Sequence, residues 1–376
     1  MLGIDLCAVD RLEKIYQKYG EKFLQRTFTE EERDYLKKKK MAPRTMAGLF
    51  AAKEAMAKAL GTGIGPVAFK DLEVLHKPQP QGRWGNYLFQ LSISHEGGYA
   101  VAVALGQGEE KIFPSPSFLK GKVKTRELNA HKGSVGKVAL LAGHRGMVGA
   151  FLYAARALYR TGAGMVFGLV AEEDLESFSL AAPEVVLKKR EEGLENLLPE
   201  IDALVVGPGL GQDPLLKEAV ESPIHRVIDA DAITYLSGLS SLPNLQGAVL
   251  TPHEAEARRL FHCQDEREGL IERAKNFAKT HQCSVVLKGP GTYVTDGRRD
   301  YVNQTGNPSM AVAGMGDCLS GIIGYFLATM EDPYLAACMG VFIHGAAGDL
   351  ANEKYGQSLM PMDVIQEIPQ VLKNLS

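Results

Sequence analysis

From residue 138 onward the chain repeats one word form, a short apolar run that ends in a turn and is followed by a helical pattern. The runs are VALLAG (138–143), MVFGLV (165–170), ALVVGPG (203–209), HRVIDAD (225–231), GAVLTPH (247–253) and CSVVLKG (283–289). The alternation of strand-like runs with turns and helical patterns argues for an α/β domain with a mostly parallel sheet. No such alternation precedes it, although Leu88–Ser94 and Tyr99–Leu105 read as a hairpin. Between the two regions lies GQGEEKIFPSPSF, polar and carrying two prolines, which reads as a linker. At 376 residues, and roughly 150 per domain, two domains are expected: 1–106 and 120–376, joined by 107–119.

Apolar residues make up 45% of the chain and charged residues 23%, enough for packed cores and unlike a disordered or collagen-like composition. The longest apolar stretch, Cys318 to Met330, falls short of the ~18 residues of a membrane span, so no membrane association is expected. Asp5 interrupts the apolar run at the N-terminus and no basic leader precedes it, which points to the cytoplasm. The five cysteines form no CxxC pair, so neither a disulfide frame nor a zinc knuckle is expected. Net charge is −3 overall but +4 over residues 1–106 and −7 beyond, so the first domain is the one suited to an acidic partner. It lacks the interleaved basic and aromatic residues of a single-strand binder, and nucleic acid is not expected.

In the first domain, Leu12, Ile15, Tyr16, Tyr19 and Phe23 recur at helical spacing beside a basic stripe of Arg11, Lys14, Lys18 and Lys22. By itself such a stripe is more often a solvated face. LFAAKEAMAKALGTGIG (49–65) is a helix with an apolar stripe of Leu49, Met56 and Leu60 and a glycine stop at Gly61. Glu54 lies off that stripe, where it either pairs with Lys58 at i+4 or joins Asp5 as a hard oxygen ligand for Mg2+.

GIDL (3–6), RTFT (26–29), FAAKEAMAKALGTGIG (50–65), FKDLEV (69–74) and SISH (92–95) with the following YAVAVAL resemble, in order, holo-acyl-carrier-protein synthase. The resemblance implies an α+β phosphopantetheinyl-transferase-like fold and transfer of 4′-phosphopantetheine from coenzyme A to a serine of acyl-carrier protein. It places the metal ligands, and so the catalytic carboxylates, on Asp5 and Glu54, and puts His95 near the coenzyme A site. It gives Arg11 and its stripe the acidic carrier protein as partner and implies a homo-oligomer with a trimeric N-terminal domain. One departure stands out: Leu49 occupies the position where the family commonly has an arginine for coenzyme A phosphates, leaving Arg44 or Lys53 to supply the cation.

In the second domain, AGMGD (313–317) immediately precedes a long apolar helix. Glycines at a helix start let amides face an anion, and Asp317 in the opening turn is either a capping carboxylate or a base. VVGPGLG (205–211), LTPHEAE (250–256) and LKGPGTYVTDG (287–297) end strands in the position of ligand loops in open α/β sheets. With HKGSVGKVALLAGHRGMVGAFLYAARALYRTGAG (131–164), PEVV (183–186), VIDADAI (227–233) and NQTGNPSMAVAGMGDCLSGIIGYFLA (303–328), they resemble ADP-dependent NAD(P)H-hydrate dehydratase, a ribokinase-like family. The resemblance implies that the hydroxyl of (S)-NAD(P)H hydrate is phosphorylated by ADP, or alternatively ATP, with Mg2+, and that phosphate is then eliminated. It places nucleotide contacts on Lys288, Gly289, Pro290, Gly291, Thr292 and Gly316, hydrate contacts on Ala150, Gly211, His253 and Asp317, and the catalytic base on Asp317. HEAE, PSM and Met315 depart mildly from the family's wording.

Two rival readings follow. Residues 1–106 could serve as an inactive oligomerisation or carrier-binding module, which Leu49 favours, and the second domain could be a ribokinase-type small-molecule kinase that leaves phosphate on its product.

Overall fold

The computed structural model describes residues 2–60, 67–76, 80–84, 87–107, 117–119, 121–123, 133 and 135–375. The chain divides into two compact units, Met1–Pro114 and Ser115–Ser376. The glycine stop at Gly61, most of the linker and the HK of the 131–136 word lie outside the described residues. The end of the expected linker is not loose: Ser117–Leu119 form a turn of 3-10 helix in which Leu119 is fully buried and Phe118 stacks edge-on against Tyr301.

In the first unit β1 (Leu2–Ala8), α1 (Val9–Thr27), α2 (Glu30–Lys38) and α3 (Pro43–Ala59) precede β2 (Glu73–His76), β3 (Pro80–Trp84), β4 (Tyr87–Glu96) and β5 (Tyr99–Gln107). The strands form an antiparallel sheet in the order β1-β5-β4-β3-β2, and the expected hairpin is β4–β5. Helix α3 lies on one face of that sheet and is buried nearly all round, including Leu49, Met56 and the alanines between them. This close seating requires Gly3 in β1, because a Cβ there would stand 2.0 Å from the Ala55 carbonyl oxygen. The opposite face of β1 presents Leu2, Ile4 and Leu6 to solvent. Helix α1 is broken at Gly20 (φ 52°), and its stripe is only partly covered: Leu12 is buried but Tyr19 is exposed.

Lys53 is not available to a ligand phosphate. Its side chain is fully buried, 2.5 Å from Glu32, and its ammonium also donates to the carbonyls of Thr27 and Phe69. Glu32 in turn accepts from the Val74 and Thr29 amides, so the pair ties α2, α3 and β2 together. Burial alone pushes Glu32 up and Lys53 down in pKa, and each partner opposes that shift in the other.

In the second unit the order is β6 (Lys137–Leu141), α4 (Val148–Thr161), β7 (Met165–Val170), α5 (Leu175–Ala181), β8 (Val186–Lys189), β9 (Ala203–Val206), α6 (Leu216–Glu221), β10 (Arg226–Ile228), α7 (Ala230–Ser237), β11 (Ala248–Leu250), α8 (Glu254–Leu260), α9 (Arg267–His281), β12 (Ser284–Leu287), β13 (Tyr293–Thr295), β14 (Asp300–Val302), α10 (Met315–Thr329), α11 (Pro333–Tyr355) and α12 (Pro361–Leu375). The sheet runs β14-β13-β12-β11-β10-β9-β6-β7-β8 and is parallel from β12 to β8, with β13 and β14 antiparallel at one edge. Both faces are covered, which explains the unbroken apolar runs. Leu141, Leu204, Val206 and Ile228 share a core with residues of α6, α7 and α9, while α10 closes on Val205 and Val138 through Gly324. Helix α11 is long and apolar enough to cross a membrane, but most of it is buried inside this unit as a core helix.

Removing one member of the Lys53–Glu32 pair should be far worse than removing both. Lys53→Ala is expected to cost the first unit about 3–5 kcal/mol by leaving a buried carboxylate unpaired. A Lys53→Met, Glu32→Leu double variant should recover much of that loss. Denaturant unfolding followed at Trp84, the one tryptophan of the sequence, reads this unit selectively; equal loss in single and double variants would refute the pairing argument.

Candidate functional site

In the first unit the antiparallel register sets Asp5 across from Ala102, and Ala102 across from Ile93. Asp5 therefore lies on the face that α3 covers, and Glu54 reaches it from α3: the carboxyl of Glu54 is pushed up in pKa by burial and then by the charge of its neighbour Asp5. The expected Glu54–Lys58 pair is replaced by Lys58 to Asp5 at 2.8 Å. Asp5 keeps its other oxygen, Oδ2, buried with no hydrogen-bond partner. Two close carboxylates, one with an orphaned oxygen, fit a hard divalent cation that completes its shell with water and phosphate oxygens. Among the described residues no group of three or more potential metal ligands occurs.

His95 lies two residues beyond Ile93 on β4, and its Nε2 is 2.9 Å from the Arg44 carbonyl at the start of α3. Arg44 is exposed there, whereas Leu49 is packed in the core. With Lys53 also sealed away, Arg44 is the remaining cation of the two named as substitutes for the missing arginine. Arg11, exposed on α1, lies close enough to Glu54 to oppose its upward shift. The basic stripe thus begins beside the carboxylate pair.

The strand order of the second unit reverses between β6 and β9, and its candidate residues follow the carboxyl ends of β6, β9, β10, β11 and β12. In open α/β sheets such a reversal leaves a crevice at the carboxyl ends of the strands. Ala150, in the first turn of α4, supports the loop after β9: a Cβ at Gly209 would meet it at 2.7 Å. His144 Nδ1 is 2.8 Å from the Gly209 carbonyl, and the Gly211 amide donates to Asp231 Oδ2 at 2.8 Å. His253 follows β11 as the N-cap of α8, accepting from the Ala255 and Glu256 amides, while Glu256 accepts from the His253 amide. Its side chain is half exposed, so the helix-start role and an open ring coexist.

Lys288 to Thr292 form the turn between β12 and β13. Gly289 (φ 141°) and Gly291 (φ 62°) take conformations that favour glycine, and Arg267 braces the turn through the carbonyls of Lys288 and Gly291. Gly289, Pro290 and Gly291 are exposed, so their backbone is open to a ligand. Lys288 itself turns inward, with Nζ 2.8 Å from Asp229 Oδ1 and 3.9 Å from Glu256 Oε2. Asp229 also accepts from Ser320 Oγ at 2.7 Å. Glycine at 316 leaves space beside this cluster: a Cβ there would stand 3.4 Å from Lys288 Nζ.

Asp317 is not a capping carboxylate. Helix α10 starts at Gly314 in the left-handed region (φ 97°) with no side-chain cap, leaving the Asp317 carboxyl free at the third helical position. Burial, then the nearby Asp229, raise its pKa from the usual 3.8 to about 6, with Lys288 pulling the other way. A carboxylate poised near neutrality beside glycine amides and a lysine can take a proton from a hydroxyl while an anion is held next to it. Asp229 and Ser320 lie inside quoted words, VIDADAI and the AGMGD helix, but the words assign no site role to either, and Arg267 lies in none. A roomy cavity of about 890 Å³ lies elsewhere, lined by Arg226, Ser284, Asp296 and Asp332 around the starts of β10, β12 and α11, and contains none of these groups.

Comparison with known proteins accords with this division. Residues 1–104 match the 4′-phosphopantetheinyl transferase superfamily, and residues 138–370 match the family described as NAD(P)H-hydrate dehydratase. The chain is 34% identical over 349 residues to the bifunctional NAD(P)H-hydrate repair enzyme Nnr of Hyperthermus butylicus, a match covering 83% of this chain and 62% of that protein. It is 35% identical over 252 residues to the ADP-dependent (S)-NAD(P)H-hydrate dehydratase of Neisseria meningitidis, covering 62% of this chain and 83% of that one. The ADP/ATP-dependent NAD(P)H-hydrate dehydratase of Bacillus subtilis, crystallised with ATP and Mg2+, superposes with a TM-score of 0.59 at 27% identity, over 67% of this chain and 94% of that one. The chain thus spans less than two thirds of the first repair enzyme while covering most of the single-domain dehydratases. A ribokinase-like unit with a free aspartate behind AGMG, matched over most of its length, places the chain in the NAD(P)H-hydrate dehydratase family, with a domain of the 4′-phosphopantetheinyl transferase superfamily at its N-terminal end.

Proposed function

We propose that the chain is a bifunctional enzyme: its second unit dehydrates (S)-NAD(P)H hydrate at the expense of ADP, and its first transfers 4′-phosphopantetheine from coenzyme A to acyl-carrier protein. The observation that carries the first half is the uncapped Asp317 beside the AGMG amides and Lys288. In this reading Asp317 takes the proton of the hydrate hydroxyl as its oxygen bonds to the β-phosphorus of ADP and AMP leaves. The carbon–oxygen bond then breaks, phosphate departs, and loss of a ring proton gives NAD(P)H. The amides of Gly314 to Gly316 and the Lys288 ammonium hold the transferring phosphoryl group, while the exposed Gly289–Gly291 turn and Thr292 receive the nucleotide. Ala150, Gly211 and His253 border the hydrate. Mg2+ arriving with the nucleotide supplies charge neutralisation on its phosphates.

For the first unit, Asp5 and Glu54 would hold Mg2+ against the pyrophosphate of coenzyme A, and the metal would neutralise charge on the departing phosphate. Arg44 and His95 then border the coenzyme A site, and Arg11, Lys14 and Lys18 face the acidic carrier protein. The outward Leu2, Ile4 and Leu6 of β1, continued by Leu105 on β5, offer an apolar face suited to self-association, supporting a homo-oligomer built on this unit. The buried Leu49 and Lys53 favour the second reading, a carrier-binding or oligomerising module without turnover.

Asp317→Asn should lower hydrate turnover about 10²–10⁴-fold, read as NAD(P)H absorbance appearing with ADP. Persistence of a phosphorylated alcohol in the native enzyme would instead indicate a kinase. The acid limb of kcat/KM should be centred near pH 6, because the base works only when ionised. The same shift predicts a stability effect of opposite sense to activity. The folded chain binds this proton more tightly than the unfolded one, so this contribution to stability is lost as pH rises from about 4 through about 6. Asp317→Asn should therefore melt higher than the native chain at pH 8.

For the first unit, incubation of apo-acyl-carrier protein with coenzyme A, Mg2+ and the native chain should add a phosphopantetheine mass that Asp5→Asn and Glu54→Gln both abolish. No gain from a properly assembled native chain would leave the module reading.

A further inference from the structure

Lys288 is a cation held at the edge of the site by groups to which the sequence words assign no role, and one of them belongs to a different strand end. Asp229 follows β10, and its carboxylate is almost wholly buried. It accepts from Lys288 Nζ at 2.8 Å and from Ser320 Oγ, one turn along α10 from Asp317, at 2.7 Å. The nearest other carboxylate to the ammonium, Glu256, stands off at 3.9 Å and is engaged by the amide of His253. We propose that Asp229 is a positioning residue for the reaction, aiming the Lys288 ammonium at the space beside Gly316 and, through Ser320, locking it to the helix that bears Asp317. This rests on the dehydratase reading of the site.

The geometry allows little else for Asp229. Its two oxygens are taken by Lys288 and Ser320, so it has neither the freedom nor the exposure to receive a substrate proton. Lys288 by contrast keeps about a fifth of its side chain exposed, and Gly316 lies beside its ammonium, where a Cβ would stand 3.4 Å from Nζ. A four-carbon side chain entering from β12 would otherwise be free to swing toward Glu256. The Asp229 bond selects the rotamer that faces the AGMG amides, and the Ser320 bond fixes the distance between that cation and the base.

The charged and titratable groups around this pair are Asp317, Asp231, Glu256 and His344. Asp229 raises the pKa of Asp317 while Lys288 lowers it, so removing the Asp229 charge should move the acid limb downward in pH. A purely structural aspartate would lose activity only with the folded fraction and leave kcat per folded molecule unchanged.

The test is a cycle on the full chain with Asp229→Asn, Lys288→Met and the double variant, plus Ser320→Ala, assayed for NAD(P)H formation across pH. Asp229→Asn is expected to lower kcat about 10–100-fold, the range for partners that orient a working group, and to shift the acid limb below that of the native chain. In the Lys288→Met background the same change should cost nothing further, since there is no longer a cation to aim. Ser320→Ala should show a smaller loss in the same direction. The double variant also removes both buried charges and so guards against misfolding of the single ones. Additive losses in the cycle, or an undiminished kcat in a folded Asp229→Asn chain, would overturn the proposal. If Asp317→Asn kept native turnover, the underlying dehydratase assignment of the base would fall instead, independently of the cycle.

Discussion

Everything in the larger unit depends on one topological constraint, the reversal of strand order between β6 and β9. Parallel strands deliver all their following turns to one edge, and the reversal prevents the helices on the two sides from closing over it. That edge receives the turn after β6, the Gly207–Gly211 loop, Asp229, His253 and Lys288, drawn from the whole stretch between Leu141 and Lys288. Helix α10 completes it, its close packing on Val205 through Gly324 bringing a helix start against the same edge. The chemistry is thus a by-product of how the sheet is wound, and side chains are chosen to suit a crevice that already exists.

The ion pairs of Lys53 and Lys288 differ in what each leaves open to a ligand. Lys53 has all three of its donors occupied, by Glu32 and by two carbonyls, and neither member of the pair touches solvent. Nothing remains for a ligand to claim. Lys288 has a single close acceptor, a second carboxylate beyond hydrogen-bonding range, and an open side. Its donor capacity is incomplete, which in a desolvated setting favours any anion brought near. The carboxylates divide similarly: Glu32 is saturated, whereas Asp5 retains a buried oxygen with no partner and Asp317 lacks the amide bonds its helix position would permit.

Much of this was legible in the sequence because it is carried by words local in the chain. Apolar runs ending in turns and alternating with helical patterns pointed to the parallel sheet, AGMGD marked Asp317, and the order of short motifs brought Asp5 and Glu54 together. What escaped was long-range. Asp229 and Lys288 lie 59 positions apart and Ser320 another 32 along, and no spacing rule joins them. Lys53 reads as an ordinary helix lysine until Glu32 is placed beside it, and Lys58 reads as the i+4 partner of Glu54 until β1 offers it Asp5. Long flexible cations choose among carboxylates by tertiary distance, so their partners are the least predictable part of a site. The buried Leu49 likewise shows a departure from family wording that is absorbed into a core.

Strand β1 is inside out by the usual rule: its small and polar residues Gly3, Asp5 and Cys7 face α3, and its leucines and isoleucine face away. Shifting the strand by one residue would turn every large apolar side chain inward, so hydrophobic burial within this unit pulls against the observed pairing. What forbids the shift is steric. Any residue with a Cβ in the place of Gly3 would collide with the backbone of Ala55. Most strands keep their register through what they gain from it; this one keeps it through what the alternative would strike. A single hydrogen atom at position 3 thereby decides whether the chain presents an aspartate or an isoleucine to Glu54.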